Sequence, residues 1–145
     1  MKRFLFVLIL AVLAINTCFA DNLLGKKIPF NQLPSNSQVF FNKHFKTNSI
    51  TLVKVERDKY EVKFNKNDEV EFYKKNGEWS ELKCEEGIPE SILSTIPSSI
   101  VKYVKNNYPK FKIVDIDRTK GYDVELENGL ELEFMPDGKF IKMKK

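Results

Sequence analysis

A chain of 145 residues, 42% hydrophobic and 30% charged, is long enough for one compact domain. Its formal net charge of +4, with both signs interspersed, gives no basic surface of the kind that nucleic acid requires. With one histidine and two cysteines, it has few of the side chains from which zinc centres are built.

The first element is a leader. Met1-Lys2-Arg3 is positive, and Phe4 to Ile15 is an unbroken apolar run of twelve residues. A helix that spans a bilayer takes about 20 apolar residues, so this run fits the apolar core of a signal peptide instead. Cys18 and Ala20 are small enough for a signal peptidase, and cleavage is expected after Ala20, making residues 1–20 a signal peptide. A buried N-terminal helix would not require charge, length and cleavage pattern to coincide, and Asn16-Thr17 is poor company for a lipidated Cys18. Cleavage removes Lys2 and Arg3 but no acid, so the charge of the mature chain falls from +4 to +2. The mature chain, residues 21–145, has no stable membrane span and keeps one cysteine, Cys84, expected to be buried and inert. The expected location is bacterial and exported, periplasmic or secreted.

Downstream, Leu33-Pro34 precedes Ser35 and Asn36, which can cap a helix carrying Phe41 and Phe45 one turn apart. Apolar residues then alternate at period two: Val53 and Val55, then Tyr60, Val62 and Phe64, then Val70 and Phe72. Turn chemistry at Arg57-Asp58-Lys59, Asn65 to Asp68 and Asn76-Gly77 separates these runs. The same order then returns. Ile28-Pro29 recurs as Ile88-Pro89, Leu33-Pro34 as Ile96-Pro97, Tyr60-Glu61-Val62 as Tyr122-Asp123-Val124, and Glu69-Val70-Glu71-Phe72 as Glu131-Leu132-Glu133-Phe134. Asn76-Gly77-Glu78-Trp79 recurs as Asp137-Gly138-Lys139-Phe140, and the offset stays between 60 and 63 residues. The second helix carries Ile100, Val104 and Tyr108 and stops at Pro109; its strands carry Val114 and Ile116, then Tyr122, Val124 and Leu126, then Leu132 and Phe134. Turns fall at Lys120-Gly121, Asn128-Gly129 and Asp137-Gly138.

The fold class is therefore α+β: two tandem helix-plus-antiparallel-meander repeats, residues 28–84 and 88–143, each a helix and about four strands. Strict alternation buries one sheet face, which the helices would cover. A unit of this size alone would be marginal, so residues 21–145 are expected to form a single domain.

The Leu33-Pro34 start, the Phe41 and Phe45 helix, Tyr60-Glu61-Val62, Gly77-Glu78-Trp79 and their second copies resemble the PepSY-like family of β-lactamase-inhibitor-like proteins. The resemblance covers about residues 28 to 143. It implies an exported bacterial protein with helices on one face of one curved antiparallel sheet, related in fold to the β-lactamase inhibitory protein. PepSY modules proper occur in propeptides of secreted peptidases, which adds peptidase binding to what the resemblance implies.

No catalytic constellation is visible. His44 has no cysteine near it in sequence, Cys84 has no motif that would make it a nucleophile, and there is no phosphate-cradling loop or dinucleotide fingerprint. Neither a metal site nor a cofactor is expected. The exposed sheet face is the candidate binding face. With Tyr122, Val124, Leu132 and Phe134 inward, Asp123, Glu125, Glu131 and Glu133 point outward together, joined by Asp115 and Asp117 if Val114 and Ile116 are buried. No lysine is interspersed among these six, whereas Lys54, Glu56, Glu61, Lys63, Glu69 and Glu71 of the first copy are mixed in sign. Such a face is either solvated surface or an acidic platform for a basic protein segment, a cationic glycan or a loosely held divalent cation. The function expected is a non-enzymatic exported protein-binding module, an inhibitor or regulator of a secreted or envelope hydrolase. The alternative is a small-ligand or cation-binding envelope sensor with a pocket between the units. The partner expected is another envelope or secreted protein, not nucleic acid, and oligomeric state is left open.

Overall fold

The computed structural model describes residues 25–144; the leader, Cys18 and the cleavage site after Ala20 lie outside the described residues. The fold is an antiparallel α+β meander. Among the described residues nine strands lie side by side in the order in which the chain makes them. They are β1 (Lys26–Lys27), β2 (Ile50–Glu56), β3 (Lys59–Phe64), β4 (Asp68–Tyr73), β5 (Trp79–Lys83), β6 (Ile113–Asp117), β7 (Tyr122–Leu126), β8 (Glu131–Phe134) and β9 (Phe140–Lys144). Helix α1 (Ser35–His44) precedes β2, while α2 (Glu90–Leu93) and α3 (Ser98–Asn107) lie between β5 and β6. Each expected turn falls between strands, and α3 ends at Asn107, just before Tyr108-Pro109.

Period-two alternation builds the core. Val53, Val62, Val70, Leu82, Ile116, Val124 and Leu132 stand opposite one another across seven successive strands, and all are buried. Fully burying one such side chain contributes about 1.5–3 kcal/mol. Aromatic rings of the helices meet this face. Phe41 lies 5.1 Å from Phe64, Phe40 lies 5.8 Å from Phe72, and Tyr103 lies 5.5 Å from Phe134 and stacks on Phe140 at 4.3 Å. Edge-to-face and offset contacts of this kind add about 0.5–1.5 kcal/mol beyond area burial.

Two expectations change. Ser35 and Asn36 do not cap α1: Pro34 holds the cap position, and no side chain bonds there. The polar side chains of that turn hold a hairpin instead. Ser37 Oγ donates to the Gly77 carbonyl at 2.7 Å, and Asn36 Nδ2 to the Asn76 carbonyl at 2.7 Å. At the start of α3, Ser99 Oγ donates to the Gly138 carbonyl at 2.9 Å. Each glycine turn is thus seated on the first turn of a helix. The second change concerns Val114, which is only half-buried, while Ile113 is buried. A register shift between Ile113 and Asp115 slips one residue out of the ladder, as happens between Ile50 and Leu52 in β2. The same occurs opposite Glu71/Phe72 in β5 and opposite Glu133/Phe134 in β9.

Candidate binding face

The face away from the core is ordered in rows. One row runs Lys54, Glu61, Glu71, Glu81, Asp117, Asp123, Glu133, Lys142 across β2 to β9, so six carboxylates on six neighbouring strands are bracketed by lysines. A parallel row runs Lys63, Glu69, Lys83, Asp115, Glu125, Glu131, Lys144. All the acidic positions expected from sequence, Asp115, Asp117, Asp123, Glu125, Glu131 and Glu133, lie in these two rows. Asp115 and Asp117 keep their places despite the slip at Val114, because the ladder resumes at Asp115↔Glu125.

Two features differ from the sequence reading. The acidic row does not stop at the second half, since Glu81 of β5 pairs with Asp117 and extends it. Alternation about Leu82 would have revealed Glu81 and Lys83. The face also contains lysines: Lys83 of β5 stands opposite Asp115, and from the last strand Lys144 Nζ lies 2.6 Å from Asp123 Oδ2 and Lys142 Nζ lies 3.6 Å from Glu133 Oε2. At the other end, Lys54 holds Glu61 at 2.5 Å, Lys63 reaches Glu61 at 3.2 Å and Glu69 at 3.5 Å, and Lys59 bonds Glu71 at 2.5 Å. Among the described residues, no lysine or arginine comes within 4.0 Å of Glu81, Asp115, Asp117, Glu125 or Glu131. Direct ion pairs are therefore peripheral, and the central carboxylates are offset only at longer range, by Lys83 across from Asp115 and by Lys59 near Glu81.

The electrostatic consequence falls on the middle strands. Burial, then the charges of Glu81 and Glu125, push the Asp115 carboxyl up to about 7 against the pull of Lys83. Burial, then Glu71 and Asp117, raise Glu81 as well. Like charges facing one another across strands cost about 0.2–1 kcal/mol per pair. Around these residues the surface forms an open depression of about 160 Å³, lined by Glu81, Asp115, Asp117, Asp123, Glu125 and Glu131 with Lys144 at its side. Among the described residues, no group of three or more His, Cys, Asp or Glu side chains is placed to hold a metal ion as it stands.

The two residues considered for other chemistry are occupied elsewhere. His44 Nδ1 bonds Ser91 Oγ at 2.8 Å and its ring packs 4.7 Å from Phe40; burial and then Lys43 lower its pKa from 6.5. Cys84 is 4% exposed, and burial, then Asp68 and Asp115, push its thiol up to about 12. A thiol in that state is no nucleophile near neutral pH.

Fold and face together define a class: an antiparallel α+β protein whose single sheet has a buried apolar face and a charged one rich in carboxylates. A family described as "Putative beta-lactamase-inhibitor-like, PepSY-like" matches residues 22–75 and 58–142, and the chain belongs to that family. Three solved structures share the fold. A Bacteroides thetaiotaomicron protein described as a "putative calcium-regulated periplasmic protein" is 38% identical, with a TM-score of 0.74 over 83% of this chain and 96% of that one. A Bacteroides vulgatus periplasmic protein is 37% identical, with a TM-score of 0.74 over 83% and 96%. A second B. vulgatus periplasmic protein is 38% identical, with a TM-score of 0.73 over 81% and 95%. No curated protein matches the chain. Like these relatives, the protein is an exported bacterial protein, and among the described residues no helix is long and apolar enough to cross a membrane.

Proposed function

We propose that the protein is a non-enzymatic exported binding module whose carboxylate face receives a basic segment of another envelope or secreted protein, in the manner of an inhibitor or regulator of a hydrolase. The observation that carries this reading is the centre of the face: Glu81, Asp115, Asp117, Glu125 and Glu131 stand together, and among the described residues none of them has an ion pair within 4.0 Å. A repulsive arrangement on an exposed surface lowers stability, and a cationic partner would relieve it. Complementary fields of this kind raise association rates and select partners.

The test neutralises only residues without an ion pair. Glu81→Gln, Asp117→Asn and Glu125→Gln together should leave the fold intact and weaken binding of a lysine-rich peptide by about tenfold, roughly 1.4 kcal/mol. Glu61→Gln and Glu69→Gln, whose carboxylates Lys54 and Lys63 already engage, should change it less. Raising salt to about 0.5 M should mimic neutralisation, because exposed charges are then screened within a few ångströms. Unchanged binding in the triple variant would reduce the face to solvated surface.

One observation favours a second reading, a divalent cation on the same face: the B. thetaiotaomicron relative is described as calcium-regulated. Calcium takes six to eight oxygen ligands. Carboxylates on adjacent strands could converge on it after side-chain rotation, and calcium titration of the wild type and the triple variant separates the two occupants.

We also infer that the halves, residues 28–84 and 88–143, are copies of one unit and form a single domain. Support comes from the matching slips in β2 and β6 and from the glycine turns seated alike on α1 and α3. A chain ending at Glu86 would leave β5 without β6 and bare its edge. It should be largely unfolded or oligomeric; a stable monomer with dispersed amide resonances would make the units independent.

A further inference from the structure

At the end of the sheet where the two halves join, a cleft of about 510 Å³ is lined by Tyr73 and Glu78 from the first half and by Arg118, Lys120, Gly121 and Tyr122 from the second. Its chemistry differs from that of the acidic face. Arg118 is fixed from two sides: its guanidinium lies 4.2 Å over the Trp79 ring, and Nε donates to the Trp79 carbonyl at 2.5 Å. The Arg118 backbone N–H donates to the Ser80 carbonyl at 2.9 Å, which ties the β6–β7 turn to β5. The terminal nitrogens are much less engaged. Their one carboxylate neighbour among the described residues, Glu78, stands 3.7 Å from Nη2, and its side chain is 63% exposed. Lys120 adds an exposed ammonium, and Tyr73 and Tyr122 provide half-buried aromatic walls. The backbone below is closely packed, since at Gly121 a Cβ would fall 2.6 Å from the Phe134 carbonyl oxygen.

We propose that this cleft is a second binding site, for a small ligand carrying a carboxylate on a ring that can pack against an aromatic wall. A guanidinium held flat, its outer N–H groups without a hydrogen bond among the described residues and only loosely paired with Glu78, matches the paired oxygens of a carboxylate, and because it is already immobilised little side-chain entropy is lost on binding. Glu78 marks where that carboxylate would sit. It approaches the fork from outside, beyond hydrogen-bond distance, and an arriving carboxylate would take its place. The tyrosine rings would pack against the body of the ligand, an aromatic ring or the C–H face of a sugar, at an open site that leaves its far side in water. This site stands independently of the proposed function, because it is opposite in sign to the acidic face and shares no residue with it.

The ligand body could come from a peptide C-terminus or from a sugar acid, so the test uses N-acetylphenylalanine and glucuronic acid, each beside its neutral counterpart, N-acetylphenylalaninamide and glucose. Calorimetric titration of the purified protein should give a dissociation constant of about 0.1–1 mM for one acid and binding at least about tenfold weaker for its neutral partner. The acid that binds identifies the source. Lys120→Gln, at an exposed position without a structural bond among the described residues, should weaken binding about three- to fivefold, and Arg118→Lys by about tenfold or more. Thermal unfolding checks that each variant is folded, and the comparison of acid with neutral counterpart needs no variant. Absence of binding by both acids at about 10 mM, or equal binding of acid and neutral counterpart, would overturn the proposal.

Discussion

Gly138→Ala is expected to cost about 2–4 kcal/mol of stability, and Gly77→Ala nearly as much, while Gly129→Ala costs only about 1 kcal/mol. All three glycines sit at positive φ, +86°, +69° and +81°, so each substitution forces an L-residue into the left-handed region. What separates them is space. A Cβ at Gly138 would lie 2.5 Å from Pro97 Cβ and also against Ser99 Oγ; at Gly77 it would lie 2.8 Å from Pro34 Cβ and also against the Asn36 side chain. A Cβ at Gly129 meets nothing within 4 Å. Proline rings cannot swing aside, so the hairpin must lift from the helix and weaken the Ser99 or Ser37 bond. In thermal melts Gly138→Ala should lower Tm by about 8–15 °C. Equal losses at Gly138 and Gly129 would show that the seating of the turn on the helix contributes nothing.

The second large effect lies in the centre of the acidic face. Asp115 has its folded-state pKa raised from 3.8 to about 7, so between those values the native state binds a proton that the unfolded chain gives up. The stability this group contributes is therefore fully present only below pH 3.8, falls progressively as pH rises through the window, and is gone above about 7. A shift of this size bounds the effect at about 4 kcal/mol, and partial exposure with Lys83 nearby leaves about 1–2 kcal/mol expected. Asp115→Asn supplies the neutral form at every pH. It should stabilise the protein by that amount at pH 8, by roughly a third to a half as much at pH 5 and hardly at all below about pH 3.5, measured by urea denaturation. His44 acts in the opposite sense, because its lowered pKa favours the native state as pH rises. The decisive quantity is thus the difference between variant and wild type: parallel profiles from pH 5 to 8 would refute the account of Asp115.

Much of this architecture is legible in the sequence because it depends on neighbours along the chain. Period-two runs, Asn-Gly and Asp-Gly turns and proline-bounded helices are local signals, and they place Asp115, Asp117, Asp123, Glu125, Glu131 and Glu133 on one face. Other features depend on partners far away in sequence. The slip beside Val114 follows from how β6 meets β7, so alternation alone puts the wrong valine inside. Lys142 and Lys144 reach the acidic rows because β9 slips by one residue opposite Glu133 and Phe134. Asn36 and Ser37 carry the sequence of a helix start, yet they bond a hairpin that comes 40 residues later. Glu81 was within reach, since Leu82 at its side is fully buried and alternation about it places Glu81 outside.

The strictly sequential strand order bears on how the chain reaches this state. In most strand pairs the partners are joined by a short turn, so most of the sheet can zip up one hairpin at a time with little loop-closure entropy. Two pairings reach further: Lys27 to Lys54 across α1, and Lys83 to Asp115 across α2 and α3. Pairings between neighbours in sequence dominate the sheet, and topologies of that kind fold faster than sheets built on distant pairings. Closure between β5 and β6 spans the longest stretch of chain and is where the barrier is expected. Changes at Leu82 or Ile116 should therefore slow folding, whereas changes at the outer hairpins should mainly speed unfolding.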